Sequence, residues 1–118
     1  MTKSFEEALT LEEIEIGRDT LIIIKGGDAH IGAVSIAYLT CHDPVTIDVE
    51  TTSVPGHKEH LLSERFARHI AMQLLRTVTV VIGIHFDGLQ RDEIDMIVRT
   101  TENMLEAYLA GKIRADFE

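Results

Sequence analysis

The sequence is poor in three features that would each point to a particular class of protein. It contains a single cysteine, Cys41, which can form no internal disulfide and has no second cysteine for a cysteine-based zinc site. No unbroken apolar run is longer than that of Leu21–Ile24, which is far shorter than the roughly 20 residues that cross a bilayer. Residues 1–8 are polar and acidic, so we expect no secretory leader. These absences predict a soluble cytoplasmic protein without a membrane span.

Basic residues are also scarce. Lys and Arg total 11 against 20 Asp and Glu, which gives a net charge of −9. Because nucleic-acid binding depends on Lys and Arg that neutralise phosphates, this balance argues against a nucleic-acid partner. Within the acidic chain, residues 61–76 hold three arginines against one glutamate. This stretch could receive an anion or an acidic partner, and a solvated helix face is the alternative.

The overall composition is that of a globular protein. The chain has 118 residues, of which 45% are apolar and 26% charged. These values are typical of a packed domain, and the length matches a single domain over residues 1–118.

Apolar residues recur at every second position in four places, and residues 20–25 are β-branched and almost wholly apolar, so the sequence predicts five strands. The predicted strands are residues 9–16, 20–25, 31–41, 45–50 and 77–86. In the first of them the alternation changes phase across Glu12 and Glu13, which predicts a bulge or a bend there. The first two strands are expected to form a hairpin.

A 3.6-residue period predicts two helices. The first runs from His57 to about Arg76, and the second from about Arg91 to Ala110, with Gly111 at its C′ position. The elements therefore follow the order ββββαβα. Four successive strands joined by short turns predict an α+β domain with a mainly antiparallel sheet and two helices on one face.

The loop over residues 26–32, with the sequence GGDAHIG, is richer in glycine than a turn requires. Its three glycines allow unusual φ angles and a close approach of a ligand to the backbone. It lacks the Lys-Ser/Thr pair of a P-loop and the glycine spacing of a dinucleotide fingerprint. A flexible hairpin loop and a ligand-binding loop both remain open.

The loop over residues 54–60, with the sequence VPGHKEH, leads into the first predicted helix. The leading amides of a helix have no internal partner and carry the positive end of the helix dipole, so they can bind an anion such as phosphate. Gly56 permits a close approach, Lys58 adds a positive charge, and His57 adds a donor of adjustable protonation. The alternative is a Pro-Gly turn into a solvated helix start.

Other chemistries have weaker support. His57 and His60 lie three residues apart and could bind a metal together with His30 or Asp28, but the sequence has no HExxH motif. No serine stands in a nucleophile-elbow sequence, and Cys41 has only His42 as a neighbouring base. We therefore predict no catalytic residue and no metal, and a histidine-based metal enzyme is the less favoured alternative.

The two loops together resemble those of the LpdD-like family. The run GGDAHIGAVSIA, followed by PGHKE at a helix start, carries the resemblance. The family is described as a non-enzymatic chaperone that carries prenylated FMN from a UbiX-like prenyltransferase to a UbiD-like decarboxylase, in hydroxyarylic-acid decarboxylase systems. Its fold is similar to that of small proteasome-assembly chaperones, which are α+β dimers. The resemblance implies these cofactor-binding residues: Gly26, Gly27, Asp28, His30, Gly32, Gly56, His57, Lys58 and Glu59.

Three expectations complete the interpretation. A chain this short buries a small share of its surface, so we predict a homodimer, with the small-residue face of residues 31–41 as the contact. The chain has no tryptophan, so stacking on a flavin ring would fall to aliphatic side chains or to Phe5, Phe66, Phe86, Phe117, Tyr38 or Tyr108. The alternative to a flavin carrier is a protein-interaction module that binds no small ligand.

Overall fold

The structure, a computed structural model, describes residues 5–56 and 58–117. Its elements follow the predicted order ββββαβα. They are β1 (Leu9–Ile16), β2 (Asp19–Gly27), β3 (Ala33–His42), β4 (Val45–Ser53), α1 (His60–Leu74), β5 (Val78–His85) and α2 (Arg91–Phe117). In the described part of the chain, neither helix combines the length and the apolar character that a membrane crossing requires.

The five strands form one mixed sheet in the order β1-β2-β5-β3-β4. Three of the four strand pairs are antiparallel, whereas β2 and β5 run parallel. The last strand of the chain thus enters the middle of the sheet, between the β1–β2 and β3–β4 hairpins. The predicted α+β class and mainly antiparallel sheet are confirmed.

The sheet has a covered inner face and an outer face. Successive side chains of a strand point to opposite sides, so the pairing register assigns each residue to a face. Both helices pack on the inner face, where α1 contributes Phe66 and Ile70 and α2 contributes Leu105 and Leu109. The sheet side of this core is formed by Ile22, Ile24, Ala37, Ile47, Val78, Val80 and Ile82.

The bulge predicted at Glu12 and Glu13 is wrong. β1 pairs with β2 in unbroken register from Leu9 to Ile16. The apolar phase changes because Leu9 and Leu11 face the inner side of the sheet, whereas Ile14 and Ile16 face the outer side. The register shift that does occur lies in β3, between Leu39 and Cys41.

The two helices also differ from their predicted limits. α1 begins at His60 rather than His57, and it ends at Leu74, before the left-handed Leu75 at φ 54°. α2 continues past Gly111 because its later residues form ion pairs with β1 and with the segment that connects α1 to β5. Lys112 forms ion pairs with Glu13 and Glu15 of β1, and Asp116 lies 3.1 Å from Arg76.

The small-residue face of β3 is an intramolecular contact. Ala33, Ser35 and Ala37 are fully buried on the inner face, and Ser35 Oγ shares a 2.8 Å hydrogen bond with Ser63 Oγ of α1. Their small side chains let α1 approach the sheet closely. The prediction that this face forms the dimer contact is therefore wrong, because α1 covers it.

Candidate functional site

A cavity of about 480 Å³ lies where the start of α1, the end of β5 and the first turns of α2 converge. Most of its wall is aliphatic. Its lining residues are Gly56, Lys58, Glu59, Leu61, Leu62, Ile84, His85, Leu89, Ile94, Ile97 and Val98. The cavity therefore combines an apolar wall, contributed largely by α2 and α1, with a polar end at residues 56–59.

The fold brings the two glycine-containing loops of the sequence motif into contact beside this cavity. The backbone N–H of Val54 donates a 2.8 Å hydrogen bond to the carbonyl of Gly32. His30 Nε2 lies 3.4 Å from Glu59 Oε1, in a contact that becomes an ion pair when the ring is protonated. The loops are far apart in sequence but form one structural unit.

The orientation of His30 is set from both sides of its ring. Nδ1 donates to the carbonyl of Asp28 at 3.2 Å, so Nε2 is directed at the Glu59 carboxylate. Both side chains are largely shielded, since His30 is 24% exposed and Glu59 14% exposed. Because an interaction between two shielded polar groups is weakly screened by solvent, this contact can hold the two loops together.

Glycines make room for this arrangement. A Cβ on Gly32 would come within 2.5 Å of the Glu59 carboxylate, and one on Gly27 would overlap the backbone carbonyl of His85. Gly27 also has a φ of 64°, which side chains rarely adopt. A Cβ on Gly26 would meet Leu9. The glycines of the first loop thus have packing roles, whether or not a ligand approaches their backbone.

The structure adds residues that are absent from the predicted site. Gly83 of β5 lies directly under His30, so that a Cβ there would overlap the His30 carbonyl. His85 lines the cavity, with its ring 6.3 Å from that of His30 and its Nε2 2.9 Å from Asp87 Oδ1. A glycine within an apolar strand is a signal of close backbone approach, and it could have identified Gly83.

The predicted site residues fall into three groups. Gly56, Lys58 and Glu59 line the cavity itself. His30 contacts Glu59, and the remaining members of the first loop shape its backbone: Gly26, Gly27, Asp28 and Gly32. His57 and the side chain of Phe117 lie outside the residues that the structure describes.

The start of α1 differs from the expected anion site in one respect. Because the helix begins at His60, the amides without an intrahelical partner belong to His60, Leu61 and Leu62, and the first helical bond runs from Ser63 N to Glu59 O. Lys58 is exposed at this end and Glu59 is shielded beside it. An anion here would meet amides and one lysine, while the Glu59 carboxylate beside them contacts His30.

Neither an aromatic cavity wall nor a metal cluster is present in the described residues. The cavity is lined by aliphatic side chains and His85 rather than by Phe or Tyr, and Phe5 and Phe86 pack on each other at 5.2 Å in a separate cluster. Across residues 5–56 and 58–117, no three His, Cys, Asp or Glu side chains come together as metal ligands. Of the predicted stacking groups, the aliphatic side chains are those that line the cavity.

Three similarities to known proteins bear on this site. Residues 3–112 match a family model described as the prenylated flavin chaperone LpdD-like domain. The chain is 32% identical over 91 residues to protein LpdD of Lactiplantibacillus plantarum, covering 75% of this chain and 65% of that protein. The fold is similar to a chain in the crystal structure of a chaperone complex for yeast 20S proteasome assembly, with a TM-score of 0.50 and 9% identity, covering 86% and 96% of the two chains. At that identity the last similarity concerns the fold alone.

Proposed function

The chain belongs to the LpdD-like prenylated flavin chaperone family, and from this we propose that it binds prenylated FMN, or a related flavin phosphate, in the cavity between α1, β5 and α2. It then delivers this ligand to a UbiD-like decarboxylase. The observation that carries the proposal is the meeting of the two motif loops at the polar end of an apolar cavity.

The cavity matches the chemistry of such a ligand. Small-molecule sites are typically clefts of about 300–1,000 Å³ with apolar walls and a few polar groups that fix orientation, and this one has about 480 Å³. Ile84, Ile97 and Val98 offer an aliphatic surface to the ring system and its prenyl group.

The phosphate would bind at the start of α1. The unpartnered amides of residues 60–62 and the Lys58 ammonium all lie at this end, and an anion there gains both hydrogen bonds and the helix dipole. Gly56 has a φ of 88°, and a Cβ added to it would meet no atom within 4 Å, so the backbone is open to approach. The His30–Glu59 contact would hold the first loop against this end.

We further propose that the chain is a carrier rather than an enzyme, and that it takes its ligand from a UbiX-like prenyltransferase in the cytoplasm. A carrier has to exchange its ligand with two enzymes, so its cavity must open to the surface. Leu61 and Ile94, which line the cavity, are 67% and 48% exposed. Their exposure supports such an exchange.

Titration of the purified chain with FMN, prenylated FMN and riboflavin tests the proposal. Hydrogen bonds to charged groups contribute about 1.5–3 kcal/mol each, so FMN should bind at least about tenfold more tightly than riboflavin, which lacks the phosphate. Prenylated FMN should bind more tightly than FMN because the prenyl group adds apolar surface. The loaded chain should then activate an apo-decarboxylase of the UbiD type.

Two results would contradict the proposal in different ways. Equal binding of FMN and riboflavin would remove the phosphate site from α1 but leave a flavin carrier. Failure to bind any of the three would leave the protein-interaction module as the function of the chain.

A further inference from the structure

The outer face of the sheet carries a continuous group of apolar side chains. We call it the outer patch and define it by six residues: Ile14, Leu21, Ile23, Val34, Ile36 and Val81. The register places them side by side, since Leu21 pairs with Ile14 and Ile23 with Val81, while Val81 in turn pairs with Val34. The patch therefore spans β1, β2, β5 and β3.

Within residues 5–56 and 58–117, no helix covers the outer patch. Both helices contribute their apolar side chains to the inner face. Ile14 is 46% exposed, and the other five side chains are partly exposed although each lies among neighbours on the sheet. The exposure is thus a property of the whole outer patch rather than of one protruding residue.

The sequence of β2 is typical of a strand buried on both sides. An antiparallel sheet with one solvated face alternates apolar and polar residues, whereas a strand with both faces covered is apolar throughout. Residues 21–24 read Leu-Ile-Ile-Ile, with Ile22 and Ile24 in the core and Leu21 and Ile23 on the outer face. The composition of β2 is therefore that of a strand with both faces covered, but no helix of the described residues covers its outer face.

Charged side chains on the outer face are confined to the margins of the patch. Glu12 and Lys25 lie on one side and pair with each other at 3.2 Å, and Asp48 and Glu50 lie on the β4 side. An apolar centre with a charged margin is the usual anatomy of an interface between subunits. A second copy of the same face could pack on this centre without burying an unpaired charge.

The size of the face agrees with what a dimer needs. With strands about 4.8 Å apart and residues about 3.3 Å apart along each strand, a face of five strands and eight residues covers roughly 650 Å². Stable interfaces bury about 800 Å² of accessible surface per partner, which exceeds the flat footprint because side chains project from it. A second copy would therefore cover the outer patch and the uncharged residues around it, and the charged margin would form the solvent-accessible rim of the interface.

We propose that two copies of this chain pack their outer patches against each other to form a homodimer. Two sheets then stack face to face, about 10 Å apart, with the helices of both chains on the outside. The order of layers is helices, sheet, sheet, helices. This arrangement needs no ligand, so it can be tested independently of flavin binding.

Sedimentation of the full chain, with Ile23→Glu as the disrupting variant, tests the interface. The wild-type chain should sediment at twice the 13.2 kDa chain mass at micromolar concentration. Ile23→Glu changes both copies at once, removing buried apolar surface and introducing a charge at each, so the dimer dissociation constant should rise at least about 100-fold. Met72→Glu, at a 42% exposed apolar residue of α1, is the matched control and should leave the dimer intact.

A second variant keeps the test decisive if Ile23→Glu does not fold. The double substitution Val34→Thr and Val81→Thr keeps the shape and strand preference of both side chains and should raise the dissociation constant at least about tenfold. A monomeric wild-type chain would overturn the proposal. So would a dimer unaffected by the outer-face variants, or one dissociated by Met72→Glu alone.

Discussion

At the scale of single residues, the candidate site depends on side chains that are absent as much as on those that are present. Gly32 leaves room for the Glu59 carboxylate, and Gly83 leaves room for the backbone of His30. The contact between His30 and Glu59 therefore depends on two other positions that carry no Cβ. Lys58 has a different role, since it lies exposed at the polar end of the cavity and supplies its positive charge.

Replacing Gly83 with alanine should disturb the junction of the two loops. The new Cβ would overlap the carbonyl of His30, and a backbone atom cannot move aside as a flexible side chain can. We expect a loss of about 1–3 kcal/mol in the free energy of unfolding, measured by urea denaturation. Gly111→Ala is the control, because its Cβ would meet nothing within 4 Å, and it should stabilise α2 by up to about 1 kcal/mol. Equal stability of Gly83→Ala and the wild type would show that the loop is free to move away from β5.

Replacing Lys58 with alanine should weaken the binding of FMN and leave that of riboflavin unchanged. The loss of one charge-assisted hydrogen bond corresponds to about tenfold or more in affinity. The thermal midpoint should remain that of the wild type, because Lys58 is exposed. Arg18→Ala, in the β1–β2 turn, controls for the loss of a remote positive charge. We predict the same loss for His57→Ala, and wild-type FMN affinity in both variants would rule out a phosphate site at this loop.

At the scale of elements, the end of α2 is held against β1 by a polar cluster. Tyr108 donates a hydrogen bond to Glu13, and Lys112 pairs with Glu13 and Glu15. These contacts explain why α2 continues through Gly111, where the sequence pattern predicts its end. A glycine can stop a helix, but partners beyond it on another element can favour continuation.

The titration of Tyr108 should report on this contact. Burial, followed by the hydrogen bond to Glu13, raises the pKa of the Tyr108 hydroxyl well above its ordinary value. The folded state therefore retains a proton that the unfolded chain loses near pH 10, so this group contributes stability below that pH and the contribution falls as the pH rises further. In a Tyr38→Phe variant, where Tyr108 is the remaining tyrosine, phenolate absorbance should appear at a higher pH in the folded than in the urea-unfolded protein. Coincident titrations would mean that α2 does not pack on β1 in solution.

At the scale of the whole molecule, the sequence predicts the elements well and their arrangement less well. Periodicity and residue composition are local signals, and together they identify all seven elements and the α+β class. The insertion of β5 between β2 and β3 depends on long-range pairing, which periodicity does not report. The change of apolar phase in β1 suggests a bulge for a similar reason. The pattern of one strand does not report that apolar residues lie on both of its faces.

The candidate site shows the same division. Lys58 is recognisable in the sequence because it stands at a predicted helix start, whereas Glu59 is implied only by the PGHKE motif of the family resemblance. His85, Ile97 and Val98 reach the cavity only through the placement of β5 and α2, so no local pattern marks them. The small residues of β3 suggest a dimer contact from sequence, although they allow a close helix contact instead. Small side chains on a strand indicate that another element packs closely on it, but they do not identify that element.

A dimer built on the outer patch has a thermodynamic consequence for the molecule as a whole. Unfolding then also separates two chains, so dilution favours the unfolded state by mass action. With an unfolding enthalpy of about 0.7 kcal/mol per residue summed over both chains, a tenfold rise in protein concentration should raise the thermal midpoint by about 3 °C. Differential scanning calorimetry over a hundredfold concentration range measures this shift. The midpoint of Ile23→Glu should be lower and independent of concentration, whereas Met72→Glu should follow the wild type. A wild-type midpoint that stays constant over the same range would mean that the sheet is stable with its outer face in water, and the apolar character of β2 would then need another cause.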